Sequence, residues 1–250
     1  MTASLQTAAS ALDAHLAQLE PPSRLAALRE ALAGRVVLTT SFGLEDQVLT
    51  HLVAGAGLDI EVVTLDTGRL FPETYALWAQ TEARYGRRIA GFYPERPEVE
   101  ALVRDQGIDG FYNSLEARKA CCHVRKVVPL GRALEGASGW VTGLRADQSP
   151  ERTGLGFASY DAERGLVKVN PLYDWTRDRI LDFALANDVP INPLHAKSYL
   201  SIGCAPCTRA IAPGEPERAG RWWWEDQAQK ECGLHVAADG RLVRSAGVSA

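Results

Sequence analysis

Residues 35–68 read RVVLTTSFGLEDQVLTHLVAGAGLDIEVVTLDTG. "RVVLTTSF" is an apolar, β-branched run too short for a helix, and it predicts a strand buried on both faces. "LEDQVLTHLVAGAG" then carries apolar residues at helical spacing, and "IEVVTLDTG" returns to a buried strand that closes in a turn. A strand, a helix and a strand in so short a span form a βαβ unit, which belongs in a parallel sheet.

The alternation continues in both directions. Downstream, "PETYALWAQTEARYG" is a helix with proline in its first turn, "RRIAGFY" a strand and "PEVEALVRDQG" a helix. Upstream, "SLQTAASALDAHLAQL" and "SRLAALREALAG" predict two helices with serine caps and Gly34 as the stop. Farther on, "ARKACCHVRKVVPLGRALEG" reads as a helix interrupted near Pro129, and "GWVTGLR" as a strand entering a polar loop. "GFASYDAERGLVKVNPL" predicts a hairpin and "TRDRILDFALAND" a capped helix. The expected fold is α/β, a mostly parallel sheet flanked by helices. Residues 1–213 are expected to form the α/β domain, with N-terminal helices in 1–34. Residues 214–250 lose clear periodicity and are expected to form a flexible C-terminal tail that docks on the domain or moves against it.

Composition narrows the function. The chain has 250 residues, 46% hydrophobic and 23% charged, enough to bury a core without staples. A net charge of -4 and a pI near 5.8 argue against nucleic acid as partner, since that needs a broad basic surface. No run is apolar and long enough for a membrane span, and the first residues lack a secretion-signal pattern. The five cysteines are Cys121, Cys122, Cys204, Cys207 and Cys232. An odd count with two adjacent members opposes a disulfide framework, so a cytoplasmic protein with metal or redox chemistry is expected.

Four of these thiols fall in two pairs, "CC" at 121–122 and "CAPC" at 204–207, the ligand set of a [4Fe–4S] cluster or a structural zinc. Adjacent cysteines fit a tight zinc tetrahedron poorly, whereas a cubane spreads its irons, so the cluster is the favoured reading. Lys126 lies four residues after Cys122, on the same helical face, and Arg125 stands likewise to Cys121. A solvated basic face is the bland alternative. The two turns "TTSFGLEDQ" and "LDTGRLFPET" follow strands, where open α/β sheets hold ligands. Ser41 and Gly43 precede a helix N-terminus that favours an anion such as phosphate. Neither turn is a Walker loop, and no G-x-G-x-x-G follows a strand. The "WWW" run at 222–224 is expected to anchor the tail, and His195 to be structural. Cys232, in the polar stretch "QKECGLHVAAD", is left as a free thiol.

"SFGLEDQVL", "LDTGRLFPETY", "KACCHVRKVVPL", "GLRADQSPERTG", "GCAPCTRAI" and "ECGLH" occur in this order in assimilatory adenylyl-sulfate and phosphoadenylyl-sulfate reductases, and the chain resembles that family from about residue 35 to 236. The resemblance implies the adenine-nucleotide hydrolase-like fold of the ATP pyrophosphatases (PP-loop type). Both cysteine pairs imply a [4Fe–4S] cofactor on Cys121, Cys122, Cys204 and Cys207, and adenosine 5'-phosphosulfate (APS) rather than its 3'-phosphorylated form (PAPS) as substrate. One departure is Leu44, where alanine is commoner in the family.

The resemblance also assigns roles. Cys232 is the expected nucleophile, forming an enzyme S-sulfocysteine as AMP leaves, with Lys126 and His235 as cations beside it. Ser41, Gly43, Glu45, Asp46, Leu65, Asp66, Thr67 and Gly68 are expected at the nucleotide, and Arg145, Arg152, Arg218 and Arg221 at the phosphosulfate. With four thiols given to a cluster, Cys232 has no resolving partner in its chain, so thioredoxin (or glutaredoxin) is the expected reductant in sulfate assimilation and cysteine biosynthesis. The oligomeric state is left open, a homo-oligomer included. Two rivals rank lower. A tRNA-thiolating enzyme would show S-G-G-x-D-S and a basic surface. An iron–sulfur sensor docking through its tryptophans would need neither nucleotide turns nor a fifth cysteine.

Overall fold

The computed structural model describes residues 2–149 and 152–225. In chain order the elements are α1 (Thr2–Leu16), α2 (Pro21–Ala31), β1 (Arg35–Thr40), α3 (Leu44–Gly55), β2 (Glu61–Leu65), α4 (Pro72–Tyr85) and β3 (Ala90–Phe92). Then come α5 (Arg96–Gln106), α6 (Leu115–Cys122), α7 (Val128–Ala133), β4 (Ala137–Val141), β5 (Ala158–Asp161), β6 (Leu166–Val169) and α8 (Arg177–Ala186). The sheet order is β3-β2-β1-β4-β6-β5. All neighbours are parallel except the hairpin pair β5 and β6, which puts β5 antiparallel on the edge.

Residues 35–68 fold as the βαβ unit that their pattern dictates. Val36, Val37 and Leu38 are all buried, and period-two alternation sends them to opposite faces of the sheet. Val36 and Leu38 join the larger core with Leu12 of α1, Leu28 of α2, Val48 and Leu52 of α3 and Ile180 of α8. Val37 packs on the other face with Leu130 and Ala133 of α7, Val63 and Trp140. Helices on both faces make a three-layer α/β fold whose central strands are buried along most of their length.

One local expectation is corrected and one is sharpened. The second helix begins at Pro21 with Glu20 as N-cap, so Ser23 lies inside it rather than capping it; prolines in a first turn need no partner for their missing N–H. The break in the cysteine-bearing helix comes before Pro129. Residues His123–Val127 form a π turn between α6 and α7, and Pro129 sits in the first turn of α7. A proline cannot donate to the carbonyl four residues back and its ring crowds that carbonyl, so the chain widens one turn upstream. Pro129 therefore shapes the turn immediately after Cys121 and Cys122.

Residues 214–225 pack on the α/β body. Thr208 and Arg221 form an antiparallel bridge, Trp222 N donates to Cys207 O at 3.1 Å, and Arg209 N donates to Gly220 O at 3.0 Å. Trp222 is 1% exposed, so the tryptophan run does act as an anchor through its first member. Among the described residues no helix is long and apolar enough to cross a membrane.

Candidate active site

β1 lies between β2 and β4; the chain passes to β2 and β3 on one side and then crosses back to β4 on the other, a reversal that opens a crevice beyond the carboxyl ends of these strands. The turns after the three strands supply its walls. Thr40, Ser41 and Gly43 come from β1, Leu65 and Thr67 from β2, and Thr142 and Gly143 from β4. Phe42 holds a left-handed φ of 58°, fixed by a hydrogen bond from its N–H to Thr40 Oγ1 and by stacking on Trp78. A Cβ on Gly143 would run into Asp46 and Glu45, so only glycine lets the β4 turn approach α3 this closely.

Ser41, just ahead of α3, is bonded within the chain. Ser41 donates both its backbone N–H (2.6 Å) and its hydroxyl (2.8 Å) to Asp46 Oδ2. Burial pushes the Asp46 carboxyl up to about 6, against the pull of the Ser41 hydrogen bonds. On the β2 turn, Asp66 Oδ1 accepts from Gly68 N at 2.8 Å and from the Tyr75 hydroxyl at 2.7 Å. Gly68, at φ 69°, supplies the left-handed residue that closes this turn.

Positive charge gathers elsewhere in the crevice. Lys126, Arg152, Arg218 and Arg221 all line it. Arg221 lies over the Trp222 ring at 4.6 Å and its side chain rests on Gly203, where any Cβ would overlap the guanidinium. Arg145 differs from the other arginines. It is 0% exposed, with Nε on Glu45 (2.7 Å), Nη1 on Asp147 and Nη2 on both carboxylate oxygens of Glu217 (2.9 and 2.8 Å). Its donors face carboxylates and not the crevice.

A second cavity adjoins the first. Cys121, Cys122, Cys204 and Cys207 line it, all as free thiols, with Phe111, Pro206 and the cations Arg69, Arg118, Arg125 and Lys126. Lys126 and Trp222 belong to the walls of both cavities. The β2 turn ties them further. Thr67 Oγ1 lies 3.3 Å from Cys204 Sγ, and Arg125 donates to Thr67 O at 2.6 Å. Burial pushes Cys207 up to about 12, aided by Cys204, and also raises Cys121. At Cys204 burial is outweighed by Lys126, the Thr67 hydroxyl, Arg221 and Arg125, so its thiol falls below the usual value. Four sulfurs in a cation-rimmed, aromatic-lined space are a donor set suited to an iron–sulfur cluster. Among the described residues, no three His, Cys, Asp or Glu side chains are grouped to hold a single metal ion.

Ser41, Gly43, Glu45, Asp46, Leu65, Thr67, Lys126, three of the four assigned arginines and both cysteine pairs thus line the two cavities, whereas Asp66, Gly68 and Arg145 line neither. Cys232 and His235 lie outside the described residues. His195, read from the sequence as structural, has Nδ1 2.8 Å from Tyr199 O and also lines the crevice, where burial keeps its pKa below the usual value. Sequence reasoning missed Gly143, Gln148 and Glu217. The "VTG" at the end of the fourth strand was the available signal for Gly143, while one of two acids in "GEPERAGR" carries none for Glu217.

Residues 35–210 match the model of the phosphoadenosine phosphosulfate reductase domain. The chain belongs to this family. Its relatives include proteins named adenosine 5'-phosphosulfate reductase from Sinorhizobium fredii strain USDA 257 (56% identical, 94% of each chain) and Agrobacterium fabrum (54% identical, 91% of this chain and 87% of that one). The reductase of that name from Allochromatium vinosum is 50% identical over 86% of each chain. A solved phosphoadenylyl-sulfate reductase from Candida auris, in a phosphate complex, matches with a TM-score of 0.69 at 24% identity, covering 81% of this chain and 95% of that one. That match establishes a common fold.

Proposed function

We propose that the chain reduces APS to sulfite and AMP in sulfate assimilation, with Cys232 as nucleophile and thioredoxin as reductant. The observation carrying the substrate is the name shared by relatives more than half identical over about nine-tenths of this chain. The crevice agrees with it. Turns at the ends of β1, β2 and β4 suit an adenine nucleotide, and Lys126, Arg152, Arg218 and Arg221 offset the charge of a phosphosulfate.

In this reading the Cys232 thiolate attacks the sulfur of the sulfo group. An S–S bond forms, the S–O bond to phosphate breaks, and AMP departs with the electron pair. A thioredoxin thiolate then attacks Cys232 Sγ and sulfite leaves. The second thioredoxin thiol resolves the mixed disulfide, so two electrons pass from the dithiol and Cys232 is regenerated. The four thiols Cys121, Cys122, Cys204 and Cys207 would hold a [4Fe–4S] cofactor, which supplies a fixed block of charge and anchors two chain segments. Lys126, on the wall common to both cavities, holds its charge between that site and the substrate.

Radiolabelled APS tests this. Wild-type protein should trap label until reduced thioredoxin releases sulfite, whereas Cys232→Ser should keep its iron and trap none. Sulfite release by the variant would overturn the mechanism. The family model is named for the 3'-phosphorylated nucleotide, which supports PAPS as a second reading; PAPS run beside APS decides between them.

A further inference from the structure

Arg145 shares the resemblance-based assignment of Arg152, Arg218 and Arg221 to the phosphosulfate, but its surroundings point to another task. Its side chain leaves the loop after β4 and bridges two distant parts of the chain. Nε holds Glu45 in the first turn of α3, and Nη2 holds both oxygens of Glu217, which immediately precedes Arg218. Arg145 could meet a phosphosulfate only by leaving these carboxylates, which would take from two largely buried charges their closest cation. Glu217 is itself poorly solvated, its carboxyl raised by burial and by the nearby Glu45; Arg177 at 4.0 Å is the other cation beside it.

Residues 216–222 form a turn held at its far end by backbone bonds. Arg221 N donates to Arg218 O, Trp222 N to Cys207 O and Arg209 N to Gly220 O. At the near end, Ala219 N donates to Pro216 O, and Glu215 pairs with the partly exposed Arg209. A buried tie joining this end to the nucleotide turns is Glu217 on Arg145. The loop carrying Arg145 is itself rigid, with Ala146 N on Tyr173 O at 2.9 Å and Gln148 Nε2 on Glu45 at 3.1 Å.

We propose that Arg145 is a positioning residue which, through Glu217, fixes Arg218 and its turn over the crevice so that these cations meet the anionic end of the substrate. The proposal rests on the reading of the crevice as an adenylyl-sulfate site, but its test does not need turnover. Adenosine and AMP are titrated by calorimetry into wild type, Arg145→Met, Glu217→Ala and the double variant. AMP affinity is expected to fall about tenfold, some 1.4 kcal/mol, in each single variant, with adenosine affinity unchanged. The double variant should lose no more than either single one, because both remove the same tie. Arg145→Lys should restore part of the loss.

If Arg145→Met loses AMP while Glu217→Ala binds it as wild type does, Arg145 touches the phosphate directly and the proposal is overturned. Equal loss of adenosine and AMP overturns it as well, since that marks a general structural role. Should Arg145→Met not fold, Glu217→Ala alone carries the test. Absence of APS turnover in wild type, with these affinities behaving as expected, would sink the assigned reaction and leave the positioning role standing.

Discussion

At the scale of single residues, Asp46 shows how burial turns a common side chain into a titrating one. Its carboxylate is buried at the base of the crevice and held by Ser41, yet loss of water raises its pKa from 3.8 to about 6. Between those values the folded chain holds a proton that the unfolded chain has released. Stability from this group is therefore full below about pH 4 and is lost as pH rises through about 6. The difference corresponds to about 3 kcal/mol. Asp46→Asn keeps an acceptor for Ser41 without the charge, so it should be more stable than wild type at pH 7 and converge with it near pH 4. Denaturant melts of both proteins across this range measure it, and a difference independent of pH would refute the assignment. None of this is visible in "SFGLEDQ", because an acid three residues past a turn glycine reads equally well as a solvated first-turn residue. The cysteines were legible for the opposite reason: their type and pairing have few uses, and the fold does bring all four to one cavity.

At the scale of elements, legibility followed the strength of the local pattern. β1, α3 and β2 emerge from residues 35–68 because each apolar residue there has one face to occupy, and Val37 against Val36 and Leu38 is enough to sort the two sides of the sheet. The start of α2 was misplaced, and the interruption expected near Pro129 falls at His123–Val127, since both depend on what proline forbids rather than on periodicity. Ties between elements were hidden altogether, and Arg24 is the clearest. From α2 it donates to Leu16 O at 2.9 Å, to Pro171 O at 2.8 Å and to both oxygens of Asp174 at 2.6 and 2.8 Å, locking α2 to α1 and to the loop after β6. Burial alone would raise the Asp174 carboxyl, but Arg24 holds it below its usual value. Removing one partner of a buried pair costs about 3–5 kcal/mol, and Asp174, 42% exposed, recovers part of that from water. Arg24→Met is therefore expected to lose about 2–3 kcal/mol in denaturant melts. Its AMP affinity, measured on the folded protein, should match wild type, because Arg24 lines neither cavity; a fall in both would show that this tie reaches the crevice.

At the scale of the molecule, the fold brings two cavities side by side, with Lys126 and Trp222 in the wall they share. Trp222 stands in that wall, 1% exposed, with the Arg118 and Arg221 guanidinia each 4.6 Å from its ring and its backbone bonded to the cysteine loop. Arg118, in turn, is paired at 2.7 Å with Glu225, so the ring supports one cation on the thiol side and another on the nucleotide side. Truncating a buried tryptophan costs about 3–5 kcal/mol in packing, which for a chain of this size lowers the melting temperature by about 10 °C. Were the ring only filler, Trp222→Ala would show that loss alone. If instead the ring couples the sites, the same variant should bind AMP about tenfold more weakly, through a displaced Arg221. If the four thiols hold the proposed cluster, the variant should also retain less iron after reconstitution, through a loosened Cys207 loop. Trp222→Phe, which keeps an aromatic face under both guanidinia, should recover most of the AMP affinity while regaining only part of the melting temperature. Calorimetry, iron analysis and thermal melts on the two variants separate these readings. A Trp222→Ala protein that melts early yet binds AMP and iron as wild type does would mean that the two cavities share a wall without sharing energy.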